Sequence, residues 1–236
     1  MDIYLGVLAN TGLVVLGTVI GCLFKGGAVK RVAERVFQLF GIFVMLMGAE
    51  GALGIKEPIK ALVFMVLGTA IGELIDLDKQ LTRLGNRIQR KFSPGEGEGE
   101  SFGNFSKGFV QASLLFCIGS MTFIGALESG IQHIHTTYIT KGVLDCISSI
   151  TLASAYGAGV GLSAVFVLVY QGALTAFAGL LQPVLLPEVI ALCSQIGSLF
   201  LIAIGLNMLG ITKIKVANFL PAMFLPMIWQ AVSGLL

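Results

Sequence analysis

The feature that most constrains this chain is a succession of eight apolar stretches, joined by short polar connections, that take up most of its length. They run Ile3 to Phe24, Phe37 to Ile55, Pro58 to Leu77, Gly108 to Leu127, Gly142 to Gly157, Gly161 to Leu181, Glu188 to Gly210 and Val216 to Leu236. A helix of roughly 20 apolar residues satisfies its own backbone and reaches across the hydrocarbon of a bilayer. Hydrophobic residues make up 56% of the chain and charged ones 12%, with a mean hydropathy of +0.91, whereas soluble domains are about a quarter charged. No water-soluble core could hide that much apolar surface. The sequence therefore specifies an all-α membrane protein with about eight transmembrane or re-entrant helices. The fifth stretch is the weakest, since it carries Asp145, Ser148, Ser149, Thr151 and Ser154. It is either a crossing or a broken, re-entrant segment, which a bilayer tolerates where protein or a watery cavity covers the backbone.

Charge placement sets the orientation. Lys25, Lys30, Arg31 and Arg35 lie in the first connection, and Lys79, Arg83, Arg87, Arg90, Lys91 and Lys107 in the third. The excess of cations in cytoplasmic loops puts both inside and the N-terminus outside. With eight crossings Lys213 and Lys215 also fall inside, leaving Lys56, Lys60 and Lys141 on the outer side. Only Asp2 precedes the first stretch, so no cleaved signal peptide is expected. The chain divides into a first helical unit (1–77), a cytoplasmic segment (78–107), two central helices (108–160) and a second helical unit (161–236). Within the cytoplasmic segment, Leu77, Leu81, Leu84 and Ile88 alternate with cations, the pattern of an amphipathic helix on the inner leaflet. The Gly/Glu run that follows, Ser93 to Ser101, cannot build a core.

Two internal echoes bear on architecture. Val15-Leu-Gly-Thr-Val-Ile-Gly21 recurs as Val66-Leu-Gly-Thr-Ala-Ile-Gly72. Gly17, Gly21, Gly68 and Gly72 thereby form small-residue faces on which helices pack closely, and such faces also suit a homodimer. At longer range, Gln38, Phe43, Gly48 and Leu53-Gly-Ile55 recur as Gln195, Phe200, Gly205 and Leu209-Gly-Ile211, and Val7-Leu8 with Gly12 recurs as Val167-Leu168 with Gly172. Helices 1–3 then correspond to helices 6–8 running in the opposite direction, the inverted repeat of many secondary transporters.

Polar residues inside the stretches are the functional candidates, because unpaired polar groups are costly at membrane depth. Asn10, Thr11, Gly119, Ser120 and Gln171 fall near the middles of their helices. They suit a neutral hydrogen-bonding site, with Gly119 and Gly172 as backbone that can open toward a ligand; cross-helix bonding is the structural alternative. Glu50 is an intramembrane acid whose counterpart in the repeat is Asn207. It reads equally as an ion site or as a group wetted from outside. Asp145 follows Lys141 by four residues, spacing that suits an ion pair, with Ser149 one turn further on. Cys22, Cys117, Cys146 and Cys193 are scattered free thiols, and His133 and His135 alone do not make a metal set.

The run Phe116-Cys-Ile-Gly-Ser-Met121, with Gly125, Lys141-Gly-Val-Leu-Asp145, Ser148-Ser149, Tyr170-Gln-Gly172, Gly205-Leu-Asn207 and Asn218-Phe-Leu-Pro-Ala222, resembles the bacterial DUF554 membrane family over essentially the whole chain. That resemblance implies a bacterial inner-membrane protein and brings no activity with it. No HExxH helix and no Walker-type loop is present. The expectation is a secondary transporter or channel for a small solute or ion, not an enzyme, with no cofactor and no nucleic-acid partner. The competing class is a membrane sensor or scaffold that works through its cytoplasmic helix and acidic linker.

Overall fold

The computed structural model describes residues 2–23, 27–92 and 100–233, and among them every regular element is helical. In chain order the α-helices are α1 (Leu5–Leu23), α2 (Gly27–Leu53), α3 (Pro58–Ile75), α4 (Leu77–Phe92), α5 (Glu100–Cys117), α6 (Ser120–Leu127), α7 (Thr136–Tyr156), α8 (Gly159–Ala176), α9 (Ala178–Leu181), α10 (Pro187–Met208) and α11 (Leu220–Ser233). Pro58 and Pro187 sit in the first turns of α3 and α10, where a missing N–H costs nothing. Asp76 ends α3 in the left-handed region at φ 52°, its N–H returning to the Glu73 carbonyl, and the chain turns there into α4.

Six helices are long and apolar enough to cross a bilayer, and the segments Asn104–Cys117 and Ser120–Gln132, bent by 61° about their junction, make a seventh if taken as one span. The discontinuity therefore lies in the fourth apolar stretch. The fifth, α7, is an unbroken helix of 21 residues. Its polar residues lower its apolarity without breaking it: Asp145 and Ser149 share a buried face, and Ser148, Thr151 and Ser154 each donate to a carbonyl of the same helix. The fourth breaks because Gly119 takes φ 127°, a conformation open to glycine and not to residues with a Cβ.

The helices pack through glycine. A Cβ on Gly17 would strike the Cys146 carbonyl and one on Gly21 that of Ile150, so α1 lies backbone to backbone on α7. Gly68 and Gly72 bring α3 equally close to Ala222 and Asn218. These faces are filled within one chain.

Contact registers give the directions. Gly6 meets Tyr138 and Gly21 meets Ala153, so α1 and α7 run parallel. Phe105 meets Gly159 and Phe109 meets Phe166, so α5 and α8 do too. Asn10 meets Gln171 and Thr18 meets Gly161, making α1 and α8 antiparallel. α2 with α10 (Gly41 on Gly205, Gly48 on Ser198) and α3 with α11 are antiparallel as well.

At one end of the bundle Lys215 pairs with Asp76 at 3.4 Å, and Asn218 accepts the Asp78 N–H at 2.8 Å. This fixes the α10–α11 connection beside α4. At the other end the Gln195 amide donates to the Gly54 carbonyl at 2.6 Å, near Glu57, Lys60 and Glu188. The faces of α1, α2 and α3 away from these contacts are apolar and exposed, from Leu5, Leu8 and Val19 to Leu46, Leu62 and Leu74, as lipid-facing surfaces are.

Candidate functional site

The most polar part of the interior lies between α1, α7 and α8. On α7 the residues Tyr138, Lys141, Asp145, Ser149 and Leu152 recur every three or four positions and are all buried. Helical geometry forces them onto one face. Lys141 donates to the Asp145 carboxylate, their side chains 6% and 9% exposed. Asn10 of α1 donates from Nδ2 to Gln171 Oε1 of α8 at 3.0 Å, and its amide also faces the Asp145 carboxylate. Four side chains from three helices thus form one buried network, about nine residues or ~13 Å along α7 from its start.

The network leaves specific atoms over. Asn10 Oδ1 and Gln171 Nε2 are buried without a protein partner, one an acceptor and the other a donor, and Ser149 Oγ is a third such atom. Buried polar groups normally find partners. Each of the two amides bonds the other through one atom and leaves its second atom without a protein partner.

The broken helix lies against the same network. The Lys141 ammonium stands 6.0 Å from the centroid of the Phe116 ring, one residue before the end of α5. Tyr138 donates its hydroxyl to the Thr122 carbonyl of α6 at 3.0 Å. A Cβ on Gly119 would meet nothing within 4 Å, so the break opens onto space. Ser120, the first residue of α6, is half-buried there.

The other sequence candidates separate from this group. Thr11 donates to the Val7 carbonyl of its own helix at 2.8 Å. Glu50 is exposed on α2, away from the network. Asn207 closes α10: its Nδ2 donates to the Ile214 carbonyl at 2.7 Å, and its Oδ1 accepts from Thr212 Oγ1 at 2.7 Å and from the Ile214 N–H at 2.9 Å. Gly172 lies inside unbroken α8. Sequence reasoning did not count Lys141 or Tyr138 among the site residues. The signal for both was their register with Asp145 and Ser149 on α7. Outside the spans, burial pushes the Asp78 carboxyl above the usual range, an effect opposed by Lys215 and reinforced by Asp76 and Glu73.

A bundle of long apolar helices with exposed apolar flanks and a buried polar centre defines a polytopic α-helical membrane protein. The chain belongs to the DUF554 family, described as proteins of unknown function, which matches residues 5–231. It is 29% identical over 225 residues to the uncharacterized membrane protein YdfK of Bacillus subtilis (strain 168), covering 94% of this chain and 93% of that one. It is 27% identical over 223 residues to the uncharacterized protein YqgA of Escherichia coli (strain K12), covering 94% of each. No solved structure matches the chain.

Proposed function

We propose that this chain is a secondary transporter or channel for a small solute or ion, in the bacterial cytoplasmic membrane, and not an enzyme. Its midplane site is the Asn10–Gln171–Asp145–Lys141 network with Ser149, beside the break at Gly119 and Ser120. The carrying observation is the orphaned pair Asn10 Oδ1 and Gln171 Nε2, buried at a broken helix, where transporters bind their substrates.

Eight crossings follow if α7 and the bent α5–α6 pair each count as a span. Then α1, α3, α7 and α10 run inward and α2, α5–α6, α8 and α11 outward, with the N-terminus outside and α4, Lys213 and Lys215 in the cytoplasm. Every parallel and antiparallel contact above agrees with those directions. The inverted repeat gains support from α2 and α10. Equating Phe43 with Phe200 and Gly48 with Gly205 is a shift of 157 positions. It carries the contact of Gly205 on the Gly41 carbonyl onto the contact of Gly48 on the Ser198 carbonyl, and a Cβ would stand 2.6 Å from the oxygen in both. Relative motion of two such units would expose the site to each side in turn.

Reconstitution into liposomes on a solid-supported membrane tests the reading, with a screen of small anions, cations, amino acids and carboxylic acids. A solute-driven current lost in Gln171→Ala and kept in Glu50→Gln is expected. A current that survives Gln171→Ala would move the pathway elsewhere. Silence in both current and thermal shift across the screen would sink transport.

A further inference from the structure

A second feature lies apart from the midplane network. Between α4, α5, the end of α10 and the connection before α11 is a cavity of about 430 Å3, within the span of about 300–1,000 Å3 usual for small-ligand pockets. Its wall has two characters. Val110, Leu114 and Ile204 are buried and apolar, with Gln111 buried among them and making only a long bond, 3.4 Å, to the Ile204 carbonyl. Lys107, Lys213 and Lys215 are exposed at its edge, and among the described residues Asp78 is the one carboxylate lining it.

The cations differ in how far they are engaged. Lys215 is shared with Asp76, and Lys107 stands over the Tyr156 ring at 5.5 Å from its centroid. Lys213 has no ion pair among the described residues. Asn207 holds the connection that carries Lys213 and Lys215. Its three hydrogen bonds to Thr212 and Ile214 fix the connection after Gly210, which reverses the chain at φ 74°. A concave wall with an excess of one charge focuses ions of the opposite sign.

We propose that this cavity binds a small organic anion, a carboxylate or phosphate on a compact apolar body, with Lys213 and Lys107 holding the anionic group and Val110, Leu114 and Ile204 covering the body. The anionic group comes either from a soluble compound or from the headgroup of an anionic lipid, since α4 lies where headgroups would be. Binding here goes beyond the transport reading and is measured without flux. Anion binding in a protein that shows no transport in the screen would sink that reading and leave this one.

The experiment is calorimetric titration of the full chain in phosphatidylcholine nanodiscs with phenyl phosphate, benzoate and benzyl alcohol, which share a body and differ in charge. Both anions are expected to bind at least about tenfold tighter than the alcohol. Lys213→Gln should lose about tenfold in anion affinity, the scale of one charge-assisted hydrogen bond. Asp78→Asn should gain affinity, a direction that misfolding cannot mimic. Equal binding of alcohol and anions, or anion binding indifferent to both substitutions, overturns the proposal. Repeating the titration with phosphatidylglycerol separates the sources. Weaker phenyl phosphate binding in the unsubstituted protein, absent in Lys213→Gln, supports the cavity with a lipid occupant, and unchanged binding supports it with a soluble one.

Discussion

Replacing Lys141 by Met leaves the Asp145 carboxylate buried with only the Asn10 amide facing it. Removing one partner of a buried pair costs about 3–5 kcal/mol, because the remaining charge has lost its compensation in a medium that solvates it poorly. Asp145→Leu should cost a similar amount by stranding the ammonium. The double substitution removes both charges. Asn10 keeps its bond to Gln171, so the loss is confined to one amide–carboxylate interaction, and the double variant should lie within about 1 kcal/mol of the unsubstituted protein. The singles therefore combine non-additively, the mark of residues in direct contact. The assay is unfolding in mixed micelles by sodium dodecyl sulfate, followed by far-ultraviolet circular dichroism on all four proteins. If Lys141→Met costs less than about 1 kcal/mol, as solvent-exposed pairs do, or if the double variant is as unstable as the two singles summed, the pair is not the dry, coupled element described here.

Three further outcomes are expected. Burial holds the folded-state carboxyl of Asp78 above its unfolded value, so its ionisation costs stability at neutral pH, and that cost fades as pH falls through the folded value toward the ordinary one near ~3.9. Asp78→Asn should raise the thermal midpoint at pH 7 and lose its advantage below about pH 4, as thermal unfolding across pH would record. Gly72→Leu drives a side chain into the Asn218 carbonyl and should cost at least about 1–3 kcal/mol by overpacking, read by the same unfolding titration; a variant as stable as the unsubstituted protein would refute the close approach of α3 and α11. Asn207→Ala removes three hydrogen bonds from the 212–214 connection, so hydrogen exchange there should quicken while α10 keeps its protection.

The sequence carried the membrane class and most helix boundaries, because long apolar runs and prolines at helix starts are local signals. It left open whether the fifth stretch crosses or breaks, and the structure keeps that stretch whole and bends the fourth. The polar residues of α7 looked like a fault in a span, yet Asp145 and Ser149 lie on the face that α1 and α8 cover, and Ser148, Thr151 and Ser154 bond carbonyls of their own helix. Gly119 and Gly172 both read as backbone that can open, and which of them breaks its helix needed the backbone angle, φ 127° at Gly119, since Gly172 lies inside unbroken α8. Asn10 and Gln171, 161 positions apart, were both legible as buried polar groups, but their bond depends on how α1 crosses α8. The place of Asn207 opposite Glu50 in the repeat suggested a pathway residue, and its three bonds to the connection after α10 needed the folded chain to be seen.

The pairing of early helices with late ones bears on how the chain is made. Gly72 on α3 finds its partner in Asn218, 146 residues later by subtraction of the residue numbers, and at about 5–20 residues per second that is roughly 7–30 seconds of synthesis. During that interval α1, α2 and α3 are already in lipid while their partners α7, α8, α10 and α11 are still unmade. Assembly is thus completed only as the last helix leaves the ribosome. The bundle should accordingly re-form from two separately translated pieces cut between residues 93 and 99, since no helix pair has to be made in one stroke.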